Sequence, residues 1–263
     1  MDRVTDIPEN LARAADPARV NDYDSFAEAY SAENENNLVN AYYERPGMLA
    51  LAGDVAGRRI LDAGCGSGSL SAALRDRGAV VTGIDASAGM LALARRRLGA
   101  DAALHVVDLR DRLPFAAGAF DDVVASLVLH YLEDWGPTLA ELRRVLRPGG
   151  RLIASVDHPF VAYTIQAPRP DYFATTSYGF DWTFNGQSVP MMFWRRPLHA
   201  MTDAFTTAGF RLSAISEPQP DPAARELFPD DFHALSTKTC FLFFVLEVPP
   251  SAAGSDDRPA GGS

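Results

Sequence analysis

The run Ile60-Leu61-Asp62-Ala63-Gly64-Cys65-Gly66-Ser67-Gly68-Ser69-Leu70 constrains this chain more than any other stretch. A short apolar strand runs into a glycine-rich turn, and a helix follows. Asp85 closes the next apolar strand, Val80-Val81-Thr82-Gly83-Ile84. That order describes the nucleoside-binding half of an open α/β sheet, with an acid placed to hold ribose hydroxyls. Tight packing of strand against helix also calls for glycine in such a turn, so Gly64, Gly66 and Gly68 do not name a ligand by themselves.

Strands and helices then alternate at the spacing of a parallel sheet covered on both faces. The pattern predicts strands over about 58–63, 79–85, 103–107, 120–126 and 151–156, with helices over about 68–77 and 87–97. Ser87 is the expected N-cap of the second helix. Pro137 fits the first turn of a third, which ends at Arg147-Pro148-Gly149-Gly150. Upstream, Tyr23 to Leu51 has helical periodicity, with Phe26, Tyr30, Leu38, Ala41 and Tyr42 facing inward. After Pro159 the rhythm breaks. Residues 160–195 are rich in aromatic residues and prolines and read as an insertion packed over one sheet edge. A helix over about 197–208 and strands over about 210–217 and 239–247 follow. The last strand, Cys240-Phe241-Leu242-Phe243-Phe244-Val245-Leu246, is almost wholly apolar and is expected to be central.

The expected fold is therefore α/β: a Rossmann-like, doubly wound, seven-stranded and mostly parallel sheet with helices on both faces. An N-terminal helical cap is expected over 1–52, with its first twenty or so residues loosely ordered. The main domain spans 53–248 and carries the insertion over 160–195. The small, polar tail over 249–263 is expected to be disordered.

Composition narrows the function classes. At 263 residues, 47% hydrophobic and 22% charged, the chain can bury the core of one large α/β domain. No stretch is apolar for long enough to cross a bilayer. Met1-Asp2-Arg3-Val4-Thr5-Asp6 lacks the basic and apolar regions of a secretory signal, so a cytoplasmic location is expected. Cys65 and Cys240 are far apart in sequence and are expected to be free thiols in a reducing compartment. A net charge of -10 at pH 7 offers no footprint for a phosphate backbone, so neither nucleic acid nor a membrane is an expected partner. The run Arg95-Arg96-Arg97 falls at a helix end, where it complements the dipole.

The glycine spacing is informative about the ligand. A dinucleotide fingerprint needs a small residue three positions after its second glycine and presents a helix start to a pyrophosphate. Here the spacing is Gly64-x-Gly66-x-Gly68, and Asp62 precedes it. An acid just before the turn repels a pyrophosphate and suits a ligand with a positive centre, such as an amino acid amine.

With these residues, the chain resembles the class I S-adenosylmethionine-dependent methyltransferases. The matching stretches are Leu61 to Gly68, Gly83-Ile84-Asp85, Asp108-Leu109, Leu113-Pro114-Phe115, Phe120 to Val124 and Leu142 to Gly150. Within that class it is similar to the ubiquinone/menaquinone-biosynthesis type (methyltransferase type 11) and its relatives in bacterial secondary metabolism. The resemblance covers residues 23–160 well and the rest loosely.

The resemblance implies a cofactor, S-adenosylmethionine, leaving as S-adenosylhomocysteine, and a role for each matching residue. Asp62 and the backbone of Gly64 would hold the methionine end, with Ala63 beside them. Gly66 and Gly68 would let the backbone approach the nucleoside. Asp85 would accept both ribose hydroxyls, with Ala86 next to it. Met90 would pack on adenine or serve as core filler on its helix. Asp108 would accept from the adenine amino group, with Leu109 beside the ring. Ser126 and Leu127 would border the methionine moiety. Tyr23 and Tyr30 resemble a tyrosine pair that closes over the cofactor, or they pack an amphipathic helix.

Methyl transfer from a sulfonium mainly requires an aligned acceptor and exclusion of water. A base is needed only if the acceptor must lose a proton. His130 lies at the carboxyl end of the fourth strand, where open α/β sheets bind ligands. It is the first candidate, or it shapes the pocket by hydrogen bonding. His158, after the fifth strand, is the second. The aromatic insertion is the expected pocket for a small apolar or aromatic acceptor, with Tyr131, Phe160, Tyr178, Trp182, Phe193 and Trp194 as its candidate walls. No His, Cys, Asp or Glu cluster has metal-ligand spacing, and no metal is expected. A monomer or homodimer is expected. Two other readings share parts of this pattern: a nicotinamide-dependent oxidoreductase, against which the spacing and Asp62 speak, and a non-catalytic cofactor-binding protein.

Overall fold

Consecutive residues of the central strands point to opposite faces of one sheet, and both faces are buried. Val123 and Val124, Leu152 and Ile153, and Phe244 and Phe243 each divide between two hydrophobic cores. This two-sided burial is why the strands lack polar alternation. The structure, a computed structural model, describes residues 20–184 and 186–250. The expected order of residues 1–19 and the expected disorder of residues 251–263 lie outside the described residues.

The sheet contains β1 (Arg59–Ala63), β2 (Val80–Asp85), β3 (Ala103–Val106), β4 (Phe120–Ser126), β5 (Leu146–Asp157), β8 (Arg211–Ser216) and β9 (Phe241–Glu247). Its seven strands are ordered β3-β2-β1-β4-β5-β9-β8. β3, β2, β1, β4 and β5 are mutually parallel, and β9 runs antiparallel to both of its neighbours. The apolar last strand is thus interior, while the edge strand β8 alternates exposed and half-buried residues. The order reverses between β1 and β4, which opens a crevice at their carboxyl ends.

One core is closed by α5 (Gly136–Val145) and α7 (Leu198–Thr207), through Leu139, Leu142, Met201 and Phe205. The other is closed by α2 (Arg45–Ala52), α3 (Ser69–Asp76) and α8 (Pro229–Thr237), through Met48, Leu74 and Leu235. α4 (Ala88–Leu98) covers β3 and the glycine turn through Leu91 and Ala94. Ser87 caps it, its hydroxyl accepting from the Met90 amide at 3.0 Å. At the opposite, amino end of the strands the fully buried Asp122 is held by Arg58 and Arg151. Two guanidiniums on one carboxylate satisfy a charge that would otherwise be costly to bury.

The single helix expected from Tyr23 to Leu51 is broken. A 3-10 turn, Tyr23–Ser25, is followed by α1 (Ala27–Asn36), a π-helical turn over Asn40–Glu44, and α2. The break sits at three asparagines. The Asn40 amide donates to Asn37 Oδ1 at 2.7 Å, and the Asn37 and Asn40 side chains both donate to Asn34 Oδ1 at 3.0 Å. Such side-chain bonds offer the backbone an alternative to the helical ladder.

The region after Pro159 is more regular than its composition suggests. α6 (Pro159–Thr164) leads to an antiparallel hairpin of β6 (Thr176–Phe184) and β7 (Gln187–Arg195). The expectation that this insertion covers a sheet edge needs correction. Tyr178, Val189, Met191 and Phe193 of the hairpin form a core with Phe26 and Ala162, joined by Tyr23, Tyr30 and Tyr131. The hairpin therefore sits over the carboxyl ends of the interior strands β4 and β5, because its apolar face finds matching aromatic rings there and on the N-terminal segment.

Candidate active site

The glycine turn is fastened to the neighbouring strand before it reaches α3. The amides of Gly64 and Cys65 both donate to the Ile84 carbonyl, at 2.8 and 2.9 Å. Gly64 has φ 78°, and a Cβ there would lie 2.5 Å from Val128 Cγ2. Only glycine fits that combination of left-handed backbone and close approach. Asp85 braces the turn from β2: its Oδ2 accepts from the Gly66 amide and its Oδ1 from the Ser87 amide, each at 2.9 Å. Burial pushes its carboxyl up, and these amides oppose that shift.

Between this turn and the N-terminal segment lies a cavity of about 410 Å³. Of the residues implied for the cofactor, Tyr23, Tyr30, Asp62, Gly64, Gly66, Asp85, Ala86, Met90, Asp108, Leu109, Ser126 and Leu127 line it. Ala63 and Gly68 do not. Ala63 is fully buried in the α5 core, and Gly68 packs against Ala94 and Leu98 of α4. Met90 lines the cavity and also packs with Ala27 and Leu93. Leu127 has φ 47°, a strained conformation for a leucine, at the point where β4 ends in the cavity wall.

The electrostatics of the cavity are acidic. Asp62 is buried, and its Oδ2 accepts from Ser71 Oγ at 2.6 Å. Its Oδ1 is buried without a hydrogen-bond partner. Burial raises the carboxyl to about 7, with Asp85 and Glu44 adding to the shift. Asp108 is different: Arg110 Nε bonds both of its oxygens at 3.0 Å and holds its carboxyl below the usual range. The sequence reading missed Asn34, Asn40, Glu44 and Arg45, all of which line the cavity. They belong to the segment that reads as plain amphipathic helix, where charged and amide side chains ordinarily face water.

The candidate bases lie on the hairpin side. His130 is buried, and its ring centroid is 4.7 Å from that of Tyr131 and 5.3 Å from that of Phe193. Its Nδ1 lies 3.4 Å from both the Asp157 amide nitrogen and Oδ2. Burial lowers the imidazole below its ordinary range, and Asp157 partly offsets that. Tyr178 donates to Asp157 Oδ2 at 2.6 Å, and the Tyr23 and Tyr131 hydroxyls bond each other. His158 is committed elsewhere. Its Nδ1 accepts from the Phe160 amide, capping α6, and its Nε2 meets Glu217 at 3.2 Å.

The candidate acceptor residues separate into two groups. Tyr131, Tyr178, Trp182 and Phe193 come together in one aromatic cluster, in which Trp182 also stacks on Tyr30 at 5.8 Å. Of these four only Tyr131 lines the cavity, and Phe160, 56% exposed, lies outside both the cluster and the cavity lining. Trp194 pairs with Ser177 in the hairpin register, also away from the cavity. The cluster was legible only as a density of aromatic residues over 160–195; the period-two alternation of Tyr178, Phe180 and Trp182 on β6 was not read as a strand.

Residues 61–154 match the family described as methyltransferase domain. The chain is similar to a solved S-adenosylmethionine-dependent methyltransferase from Mesorhizobium loti. The two are 29% identical with a TM-score of 0.64, over 77% of this chain and 96% of that one. Over the matched stretch and in its fold, the chain is similar to the class I S-adenosylmethionine-dependent methyltransferases. It is also 40% identical over 134 residues to a demethylmenaquinone methyltransferase of Clavibacter sepedonicus, covering 50% of this chain and 54% of that protein. A malonyl-[acyl-carrier protein] O-methyltransferase of Serratia marcescens is 40% identical over 110 residues, 41% of this chain and 42% of that protein. The chain thus spans about half the length, or less, of these curated relatives.

The residues present fit the cofactor of this methyltransferase class. An orphaned, buried carboxylate oxygen on Asp62 asks for a hydrogen-bond donor with positive charge, and the glycine turn leaves room for one to approach. Among the described residues no group of three His, Cys, Asp or Glu side chains could hold a metal ion. None of the described helices is long and apolar enough to cross a membrane.

Proposed function

We propose that this chain transfers a methyl group from S-adenosylmethionine to oxygen, nitrogen or carbon of a small organic acceptor, with His130 as the base where the acceptor must lose a proton. The observation that carries this reading is the unpartnered Asp62 Oδ1 beside an acidic, nucleoside-sized cavity. Bound S-adenosylmethionine supplies an activated, electrophilic methyl group on its sulfonium.

The chain's own part is recognition, orientation and the exclusion of water. Asp85, already oriented by the Gly66 and Ser87 amides, takes the ribose diol. Asp108, fixed by Arg110, takes the adenine amino group. Asp62 and the Gly64 backbone take the methionine end. Within the expected cap (1–52) and insertion (160–195), the described residues from Val20 onward act as covers on the 53–248 domain, and their aromatic cluster keeps water from the reacting atoms. Alignment of this kind is worth roughly 7–11 kcal/mol. His130 is suited to accept a proton because burial keeps it neutral, and Asp157 near Nδ1 can orient its ring. The aromatic cluster favours a flat, apolar acceptor, of which the demethylmenaquinone in the Clavibacter relative's name is one type.

The test is formation of S-adenosylhomocysteine. With S-adenosylmethionine and a panel of quinols, phenols, heteroaromatic amines and carboxylic acids, the product accumulates with at least one acceptor class. Tight cofactor binding with no turnover across that panel would overturn the proposed activity.

A further inference from the structure

The hairpin ends on two consecutive arginines, and both are buried: Arg195 is 2% exposed and Arg196 6%. A guanidinium is costly to take out of water, and a buried one ordinarily meets a carboxylate. Among the described residues neither arginine forms an ion pair. Burial pushes the Arg196 guanidinium down to about 10, and Asp134, beyond ion-pair distance, opposes that shift. Burial lowers Arg195 as well, against Tyr172 and Asp171. The Nε of each is buried without a partner.

Their remaining donors go to main-chain carbonyls. Consecutive strand residues point to opposite faces, so the two arginines serve different loops. Arg195 donates to the carbonyls of Tyr172 at 2.9 Å, Asp171 at 3.0 Å and Ala174. Arg196 Nη2 donates to the carbonyls of Leu132 at 3.0 Å and Glu133 at 2.7 Å. Its guanidinium lies 4.1 Å from the centroid of the Trp135 ring, a close cation–π contact. Trp135 in turn donates Nε1 to the Leu129 carbonyl at 2.7 Å.

The stretch gripped in this way carries the site. The 3-10 turn Leu129–Tyr131 holds His130, and Tyr131, which lines the cofactor cavity. The indole holds the start of the turn, and Arg196 holds the two residues that follow it. An apolar side chain of similar length would pack on Trp135 without the cost of burying a charge. A lysine would keep the charge but lose the planar fork lying on the indole. Stability alone therefore gives little reason for a guanidinium here.

We infer that Arg196 is a positioning residue, which fixes the turn carrying His130 and Tyr131 against the base of the hairpin. Its effect on turnover rests on reading His130 as the base. Its effect on where the imidazole lies does not. The alternative is a purely structural role, in which Arg196 fills the interior as Arg195 does on the other face.

Nitrogen-15 NMR of the chain labelled at its five histidines separates these roles, with His130→Gln identifying the His130 signals. Arg196→Met displaces those signals in the unliganded chain and lowers turnover by about 10- to 100-fold with whichever acceptor the wild-type chain takes. Arg196→Lys falls between Arg196→Met and wild type. Arg195→Met removes bonds of the same kind from the other loop and leaves both readouts near wild type. Unchanged His130 signals in a folded Arg196 variant overturn the inference, and Arg196→Lys decides if Arg196→Met does not fold. Equal displacement by Arg195→Met also overturns it, since general loosening would then be the cause. The signals need neither cofactor nor acceptor. A wild-type chain without turnover, or a displaced imidazole with full turnover, therefore counts against His130 as the base and leaves the positioning by Arg196 to stand on the signals.

Discussion

At the scale of single residues, His130 carries the sharpest chemical expectation. Burial disfavours its imidazolium and Asp157 offsets this only in part, so the ring is neutral through the physiological range. His130→Ala should lower turnover by roughly 10²- to 10⁴-fold, with little change in cofactor affinity, because the ring does not line the cofactor cavity. Steady-state rates and cofactor titration on the same preparation check both halves. Full activity would retire it as the base. With cofactor saturating, turnover should hold until pH drops below the ordinary histidine range, since burial lowers the group. The acids Asp62 and Asp85 were legible because they end strands at fixed distances from a glycine turn. Glu44 was not. Its segment has a helical pattern, and nothing local announces a π-helical turn except three asparagines whose mutual bonds exist only once folded.

At the scale of elements, the strand–turn–helix unit is the rigid part of the site. Gly64→Ala combines a left-handed φ of 78° with a Cβ only 2.5 Å from Val128. Gly53→Ala is the control, with φ 66° and nothing within 4 Å. Thermal unfolding should place Gly64→Ala lower, by ~1–3 kcal/mol or several degrees of Tm at roughly 2–4 °C per kcal/mol. Equal midpoints would show that Val128 simply yields. The hairpin makes the opposite expectation. It joins the N-terminal segment through side chains around the cavity, so protease cleavage within 160–195 should slow when cofactor and acceptor are added. Unchanged cleavage would count against a closing lid. The interior strands β1, β4, β5 and β9 were readable because burial on both faces leaves continuous apolar runs. The hairpin hid its period-two pattern behind prolines and glycines, and its place over β4 and β5 depends on contacts far apart in sequence.

At the scale of the whole molecule, the N-terminal segment is latched across the site by charge. Asp24 accepts from Ser87 Oγ at 2.5 Å and from the Gly89 amide at 2.7 Å, at the start of α4. Glu28 and Glu35 of α1 pair with Arg96 and Arg97. Two members of the arginine run at the end of α4 thus also make ion pairs across to α1. Each exposed pair contributes at most about 1 kcal/mol, so the latch can open. The cavity beneath it gathers Asp62, Asp85 and Glu44 against Arg45, with Asp108 neutralised by Arg110. A cation binds the ionised form of these acids, so it should release protons, and its affinity should weaken as pH falls through about 7, where Asp62 becomes neutral.

Calorimetric titration of the full chain with S-adenosylmethionine, beside NAD, tests the central claim most directly. A single site for S-adenosylmethionine that weakens as pH drops below about 7, with no heat from NAD, is the expected result. Binding of NAD with none of S-adenosylmethionine would contradict it.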